Sequence, residues 1–134
     1  MERIFFQLET DAWHGYSVES MWATQLSENL YRIENSPFFV KGLSFEDIVE
    51  TKAIDDVISF VKTVTISGRS TYRIIPTNGV DDAIFQSYWE PLEKEGCSYE
   101  QGNFGYDMYS VDVPKTANIQ HVFALLENGE TNNV

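Results

Sequence analysis

The sequence predicts an α+β protein, and three observations carry that prediction. As far as Ile75, apolar residues recur at every second position in short runs, the period of half-buried strands. After Asn78-Gly79 the spacing becomes helical through Val80, Ile84, Phe85, Tyr88, Trp89 and Leu92. A second helical stretch near the C-terminus is separated from the first by two further strand-like runs.

Taken in order, Ile4-Phe5-Phe6-Gln7-Leu8-Glu9 reads as a first strand with Ile4, Phe6 and Leu8 on one face. Phe5 breaks the alternation, as expected of a strand covered on both sides. Thr10 to Ser17 is a polar loop carrying Trp13, His14 and Tyr16. Glu19 to Leu26 and Leu30 to Glu34 follow as strands, joined by a turn at Ser27-Glu28-Asn29. Such short connections favour an antiparallel meander. Asn35-Ser36-Pro37 stops the ladder, because Pro37 has no N–H to give and forces Ser36 into an extended conformation. Phe38, Phe39 and Val40 come next, too apolar to stay in water. Burial of each aromatic is worth about 1.5–3 kcal/mol. Gly42 supplies a turn, Ser44 to Val49 leads into a strand, and Asp55-Asp56 turns it.

Val57 to Ile66 is the longest strand candidate, rich in β-branched residues. Ser67-Gly68 turns it, and Ser70 to Ile75 is expected to return as its hairpin partner. In the second part Asp81 is the expected N-cap of a helix, with Val80 and Phe85 as a hydrophobic staple. Pro91 is expected to kink or end that helix, and Gly96 to stop it. Cys97 to Gln101 and Asp107 to Val113 read as strands around a Gly102-Asn103-Phe104-Gly105 turn. Thr116 is expected to cap a last helix with Ile119, Val122, Phe123 and Leu126 on one face, ending at Gly129, and the final five residues read as loose. The resulting picture is a small antiparallel, barrel-like β-lobe over residues 1–66. It is closely packed with a ferredoxin-like β-α-β-β-α lobe over 67–134.

Charge narrows the function classes. Acidic residues number 21 against 9 basic, a net charge of −12. Divided at Ile66, the first half holds 11 acids and 5 bases and the second 10 and 4, so each carries −6. Phosphate contacts are made by Lys and Arg, which argues against nucleic-acid binding. An even acidic skew either solubilises the chain or attracts a basic protein. No apolar run approaches the roughly 20 residues of a membrane span. With Cys97 alone there is no intramolecular disulfide, and the expected location is the cytoplasm.

Catalytic chemistry finds little purchase. His14 and His121 lie far apart and neither has a second ligand nearby, so no metal or other cofactor is expected. Cys97 lacks a paired base and reads as a small buried residue. Phosphate loop, dinucleotide fingerprint and nucleophile elbow are all missing, and no catalytic residue is assigned. The paired acids Glu46-Asp47, Asp55-Asp56 and Asp81-Asp82 read as solvated turns and caps. The richest stretch is Ser67-Gly68-Arg69-Ser70-Thr71-Tyr72-Arg73, whose guanidinium groups and hydroxyls suit a carboxylate or phosphate. The competing expectation is structural: Arg73 ties the two lobes together by bonding a carboxylate such as Asp47. Trp13, Tyr16, Tyr106 and Tyr109 are expected to be exposed, either as partner anchors or as edges of the core.

Trp22-Ala23, Asn35-Ser36-Pro37-Phe38-Phe39, Gly42 with Asp47-Ile48-Val49, and Ser67 to Arg73 together resemble a bacterial family known only as a domain of unknown function. In that family a glycine often precedes the Asp, where this chain has Glu46. The resemblance spans roughly Glu19 to Arg73 and implies no reaction. In general character the chain is also similar to the immunity proteins that neutralise polymorphic toxins. The expectation is therefore a non-enzymatic, acidic cytoplasmic protein that binds a basic protein, plausibly a toxin nuclease domain. The alternative is a small-molecule or anion-binding regulatory module using Arg73 and the Ser67–Thr71 turn, and the candidate binding residues taken together are Trp13, Tyr16, Asp47, Ser67, Ser70, Thr71, Arg73, Tyr106 and Tyr109.

Overall fold

The computed structural model describes residues 1–9, 13–77 and 79–132. The first part of the predicted Thr10–Ser17 loop, Asn78 of the predicted turn and the last two residues of the tail lie outside these. The protein is α+β. In chain order it runs β1 (Glu2–Gln7), β2 (Val18–Ser27), β3 (Leu30–Ile33), β4 (Ile48–Ile54), β5 (Val57–Thr65) and β6 (Ser70–Ile74). Then come α1 (Asp82–Lys94), β7 (Ser98–Asn103), β8 (Asp107–Val113) and α2 (Ile119–Thr131).

β1 to β5 pair antiparallel in sequence order. β5 then returns to β1 in parallel register, Ile4 opposite Ile58, so the pairing runs in a ring. That parallel join is not what a simple meander predicts. Alternation places Ile4, Phe6, Met21, Ala23, Tyr31, Ile33 and Val49 inside. Phe5, expected to be covered on both sides, is 36% exposed: β1 has one buried face only.

A larger departure concerns β6. The default for two strands joined by a short turn is a hairpin, yet β5 already has β4 on one edge and β1 on the other. The chain therefore crosses at Gly68 (φ 85°) into a second sheet of order β6-β8-β7, where both neighbours of β8 are antiparallel to it. The positive φ at Gly68 favours glycine, while a Cβ there would first meet the flexible Lys115 side chain, 2.8 Å from Cδ.

The second sheet is covered on both faces. Tyr109, Val111 and Val113 pack with Phe85, Trp89, Leu92 and Val122 of the helices. The opposite face carries Thr71, Arg73 and Ser110 onto the connection between β3 and β4, at Ser44, Val40 and Pro37, and Asp112 onto Arg69. There Leu8, Phe39 and Met108 form a separate cluster.

Asp81 caps α1, its Oδ1 accepting from Ile84 N at 2.8 Å. The helix continues past Pro91 to Lys94, because Leu92, 3% exposed, is buried beyond the proline and holds the last turn. Gly96 (φ 92°) follows the cap. The second cap is Asn118 and not Thr116, its Oδ1 accepting from His121 N. Gly129 lies inside α2, which ends at Asn132. On that helix Val122 is buried, while Phe123 is 56% exposed, against the expectation of one shared apolar face.

Candidate functional site

The organising segment is Asn35–Val40. Pro37 excludes it from both sheets, so its backbone groups must find side chains or stay unpaired at a cost of about 1–3 kcal/mol each. They find four elements at once. Glu19 on β2 accepts from three consecutive N–H groups, those of Phe38 (2.8 Å), Phe39 (2.9 Å) and Val40 (2.9 Å). From β6, Arg73 donates through Nε to Phe38 O and through Nη2 to Val40 O, each at 2.5 Å. On β8, Ser110 Oγ donates to Pro37 O (2.5 Å) and bonds Ser36 Oγ (2.8 Å). Glu100 on β7 accepts from Ser36 N and from Asn35 Nδ2. Asn35 Oδ1 takes the N–H of Trp22 at 2.7 Å.

Register explains the convergence. Arg73 stands opposite Ser110 and Ser110 opposite Glu100, one transverse row on the inner face of the second sheet. Burial presses the Arg73 guanidinium below its ordinary pKa, and the nearby Glu19 charge works the other way. Arg73 does bridge the two layers, but through carbonyl oxygens and not through Asp47.

Asp47 is buried at 2% exposure and closes a local turn, accepting from Ser44 N (3.0 Å) and Ser67 N (2.8 Å). Ser67 Oγ accepts from Arg69 N, and Thr71 Oγ1 meets Ser44 Oγ at 2.8 Å and Leu43 O at 3.3 Å. Arg69 grips Asp112 (Nη2 to Oδ2, 2.5 Å) and reaches Glu46 (3.2 Å). Its pKa is raised, chiefly by the hydrogen bond to Asp112. Ser70, Tyr72 and Ile74 alternate with Thr71 and Arg73, so Ser70 does not join the other hydroxyls. The structure thus brings Asp47, Ser67 and Thr71 together, sets Arg73 one step away on the segment, and leaves no free donor pair aimed at solvent among them.

The expected aromatic anchors divide. Phe39 sits under a cluster in which ring centroids lie 6.0 Å (Trp13), 4.6 Å (His14), 4.9 Å (Tyr16) and 4.8 Å (Phe104) away. Trp13 (59% exposed) and Tyr16 (40%) form its outer surface. Tyr106 (36%) stands on the same turn as Phe104, whose N–H bonds Tyr106 O. Tyr109 is not exposed: it belongs to the helix-facing core, 5% accessible and stacked on Phe85 at 4.0 Å. Position 109 alternates with buried Met108 on a strand covered on both faces, and every residue from Met108 to Val113 is buried.

Cys97 is buried, and burial, helped by Asp112 and Glu95, pushes its thiol up to about 11. Among the described residues, no three His, Cys, Asp or Glu converge as metal ligands, and no helix is long and apolar enough to cross a membrane. A cleft of about 260 Å3 beside the segment is lined by Glu34, Glu100 and Asp112, whose carboxylates are engaged by Arg32, Asn35 with Ser36, and Arg69.

Sequence reasoning missed Glu19, Glu100, Ser110 and Phe104. Each occupies an ordinary position in a strand or turn. Only the demand created by Pro37 shows that such partners must exist somewhere.

No curated protein matches the chain. Among solved structures, a hypothetical protein from Neisseria gonorrhoeae, described as a novel crystal structure, is similar at 16% identity and a TM-score of 0.82. The likeness covers 98% of this chain and 88% of that one, and it speaks for the fold alone. The family model described as "Domain of unknown function (DUF4265)" matches residues 19–134, from the clamping Glu19 through the rest of both sheets and both helices, with β1 outside the match. The chain belongs to the DUF4265 family.

Proposed function

We propose that this protein is a non-enzymatic binding protein that presents the Trp13–Tyr16–Tyr106 aromatic surface, within an acidic exterior, to a basic protein partner. The observation that carries the reading is the exposure of Trp13 and Tyr16 over a rigidly held Phe39 in a chain of net charge −12. Preorganised aromatics surrounded by opposite charge are what binding hot spots use: the rings supply contact area and the charge speeds encounter. An immunity protein of the cytoplasm, blocking a basic toxin nuclease, is the concrete form of this reading. Its lobes are a barrel-like unit over residues 1–66 and a ferredoxin-like unit over 67–134, a division supported by the ring of pairings and by the order β6-β8-β7.

The anion-module alternative is less favoured, because the groups it would use are already bonded: Arg73 to Phe38 O and Val40 O, Ser67 N to Asp47, and Thr71 Oγ1 to Leu43 O and Ser44 Oγ. A basic toxin domain encoded beside the gene for this chain is the first partner to try. Calorimetric titration should show affinity falling steeply between about 0.05 M and 0.3 M salt, and Trp13→Ala should cost at least about tenfold. Binding indifferent to both would sink the proposal. Stabilisation by a phosphate or dicarboxylate in a thermal-shift screen would favour the alternative.

A further inference from the structure

We propose that the free edge of β6 is a second docking site, which takes an extended segment of another protein, apolar at alternate positions and carrying Lys or Arg between, as a fourth strand of the second sheet. This goes beyond the aromatic-surface reading and uses none of its residues. Among the described residues β6 pairs with β8 alone, so its outer edge presents unpaired backbone groups. Proteins usually blunt such an edge with Lys, Pro or a bulge. Here Ser70-Thr71-Tyr72-Arg73-Ile74 holds no Lys or Pro and its register with β8 is unbroken. Its one charge, on Arg73, is turned inward onto Phe38 O and Val40 O and guards nothing.

Beside that edge lies a groove of about 920 Å3 between β6 and the helices, lined among others by Ile74, Ile75, Phe123, Leu126, Glu127 and Glu130. Ile75 is 48% and Phe123 56% exposed, apolar surface left at the mouth. An added strand would drop alternate side chains into this groove while its backbone extends the ladder, the geometry of recognition by strand addition. Charge chooses the occupant. The apolar side chains enter the groove and the residues between them turn to the other face, so Glu127 and Glu130 act at the groove's mouth through their field and, with the chain's net −12, favour a cationic strand, whereas a second copy would bring another −12.

The probe is the peptide acetyl-Lys-Val-Lys-Phe-Lys-Val-Lys-amide, titrated into the 15N-labelled full chain. Expected are shifts at Ser70–Ile75 and in α2, with slowed exchange at alternate β6 amides. N-methylation of one set of alternate peptide residues should weaken binding by at least about tenfold and methylation of the other set much less, since only one set faces β6. Glu127→Lys with Glu130→Lys, and Phe123→Ala, should each weaken it several-fold, and all three side chains are exposed enough for the fold to persist. Trp13→Ala should leave it unchanged, which separates this site from the aromatic surface. Equal binding by both methylated peptides, or shifts confined to the Trp13 region, would overturn the proposal. So would a peptide-free dimer already protecting the β6 amides.

Discussion

A carboxylate that accepts three successive N–H groups cannot be replaced by its amide without pointing a donor at a donor. Glu19→Gln should therefore destabilise the fold by about 2 kcal/mol in urea titration, although volume and shape change little. Arg73→Lys replaces a fork spanning two carbonyls, Phe38 O and Val40 O, with a single point donor, and a loss of about 1–2 kcal/mol is expected. Because both residues hold Phe38 and Val40, the double variant should cost less than the sum, and a strictly additive result would mean that they do not act on one segment. Part of this was legible in the sequence. Pro37 announces a stretch outside any ladder, and the phenylalanines announce its burial. Glu19 and Glu100 were not legible, because a glutamate pairing with backbone 19 or 64 residues away looks the same in sequence as one facing water.

Turns show how an element can be right in place and wrong in partner. Asp55-Asp56 joins β4 to β5 with both residues at positive φ, 50° and 66°, and Ile54 opposite Val57, the geometry of a two-residue type I′ hairpin. Asn-Gly or Asp-Gly suits it far better than Asp-Asp. Asp56→Gly should accordingly raise stability by about 1 kcal/mol in thermal melts, through relief of left-handed strain and of one like-charge neighbour. Glu46 is the same case at φ 68°. Its carboxylate reaches Arg69 but is 43% exposed, so the lost ion pair offsets little of what glycine would relieve. The β5–β6 turn taught the opposite lesson. Short spacing predicts a hairpin, but pairing is decided by which edges remain open, and β1 had already taken the one beside β5. Information of that kind resides in contacts between distant strands and is invisible to a local pattern.

For the whole molecule, the alkaline limb of stability follows from what the core buries. Cys97 carries a folded-state pKa of about 11 against an ordinary 9.0, and burial also raises Tyr109 and, more weakly placed, Tyr31. Below pH 9.0 the Cys97 thiol is protonated in both states and its contribution is fully present. Between 9.0 and about 11 the unfolded chain releases that proton while the folded chain keeps it, so stability falls as pH rises. The tyrosines act with the same sign from about 10 upward, and Arg73 stays protonated throughout. General repulsion pushes the same way, since each ionised tyrosine adds to a chain already at −12, but that part is screened by salt and the buried-thiol part is not. Urea midpoints measured across this range at low and at high salt should thus separate the two. High salt should flatten the shared repulsive slope, and Cys97→Ala should remove the remaining fall between 9.0 and 10. If the variant keeps the full slope at high salt, the thiol is not buried as described, and rapid labelling of Cys97 by a thiol reagent in the native state would show it directly.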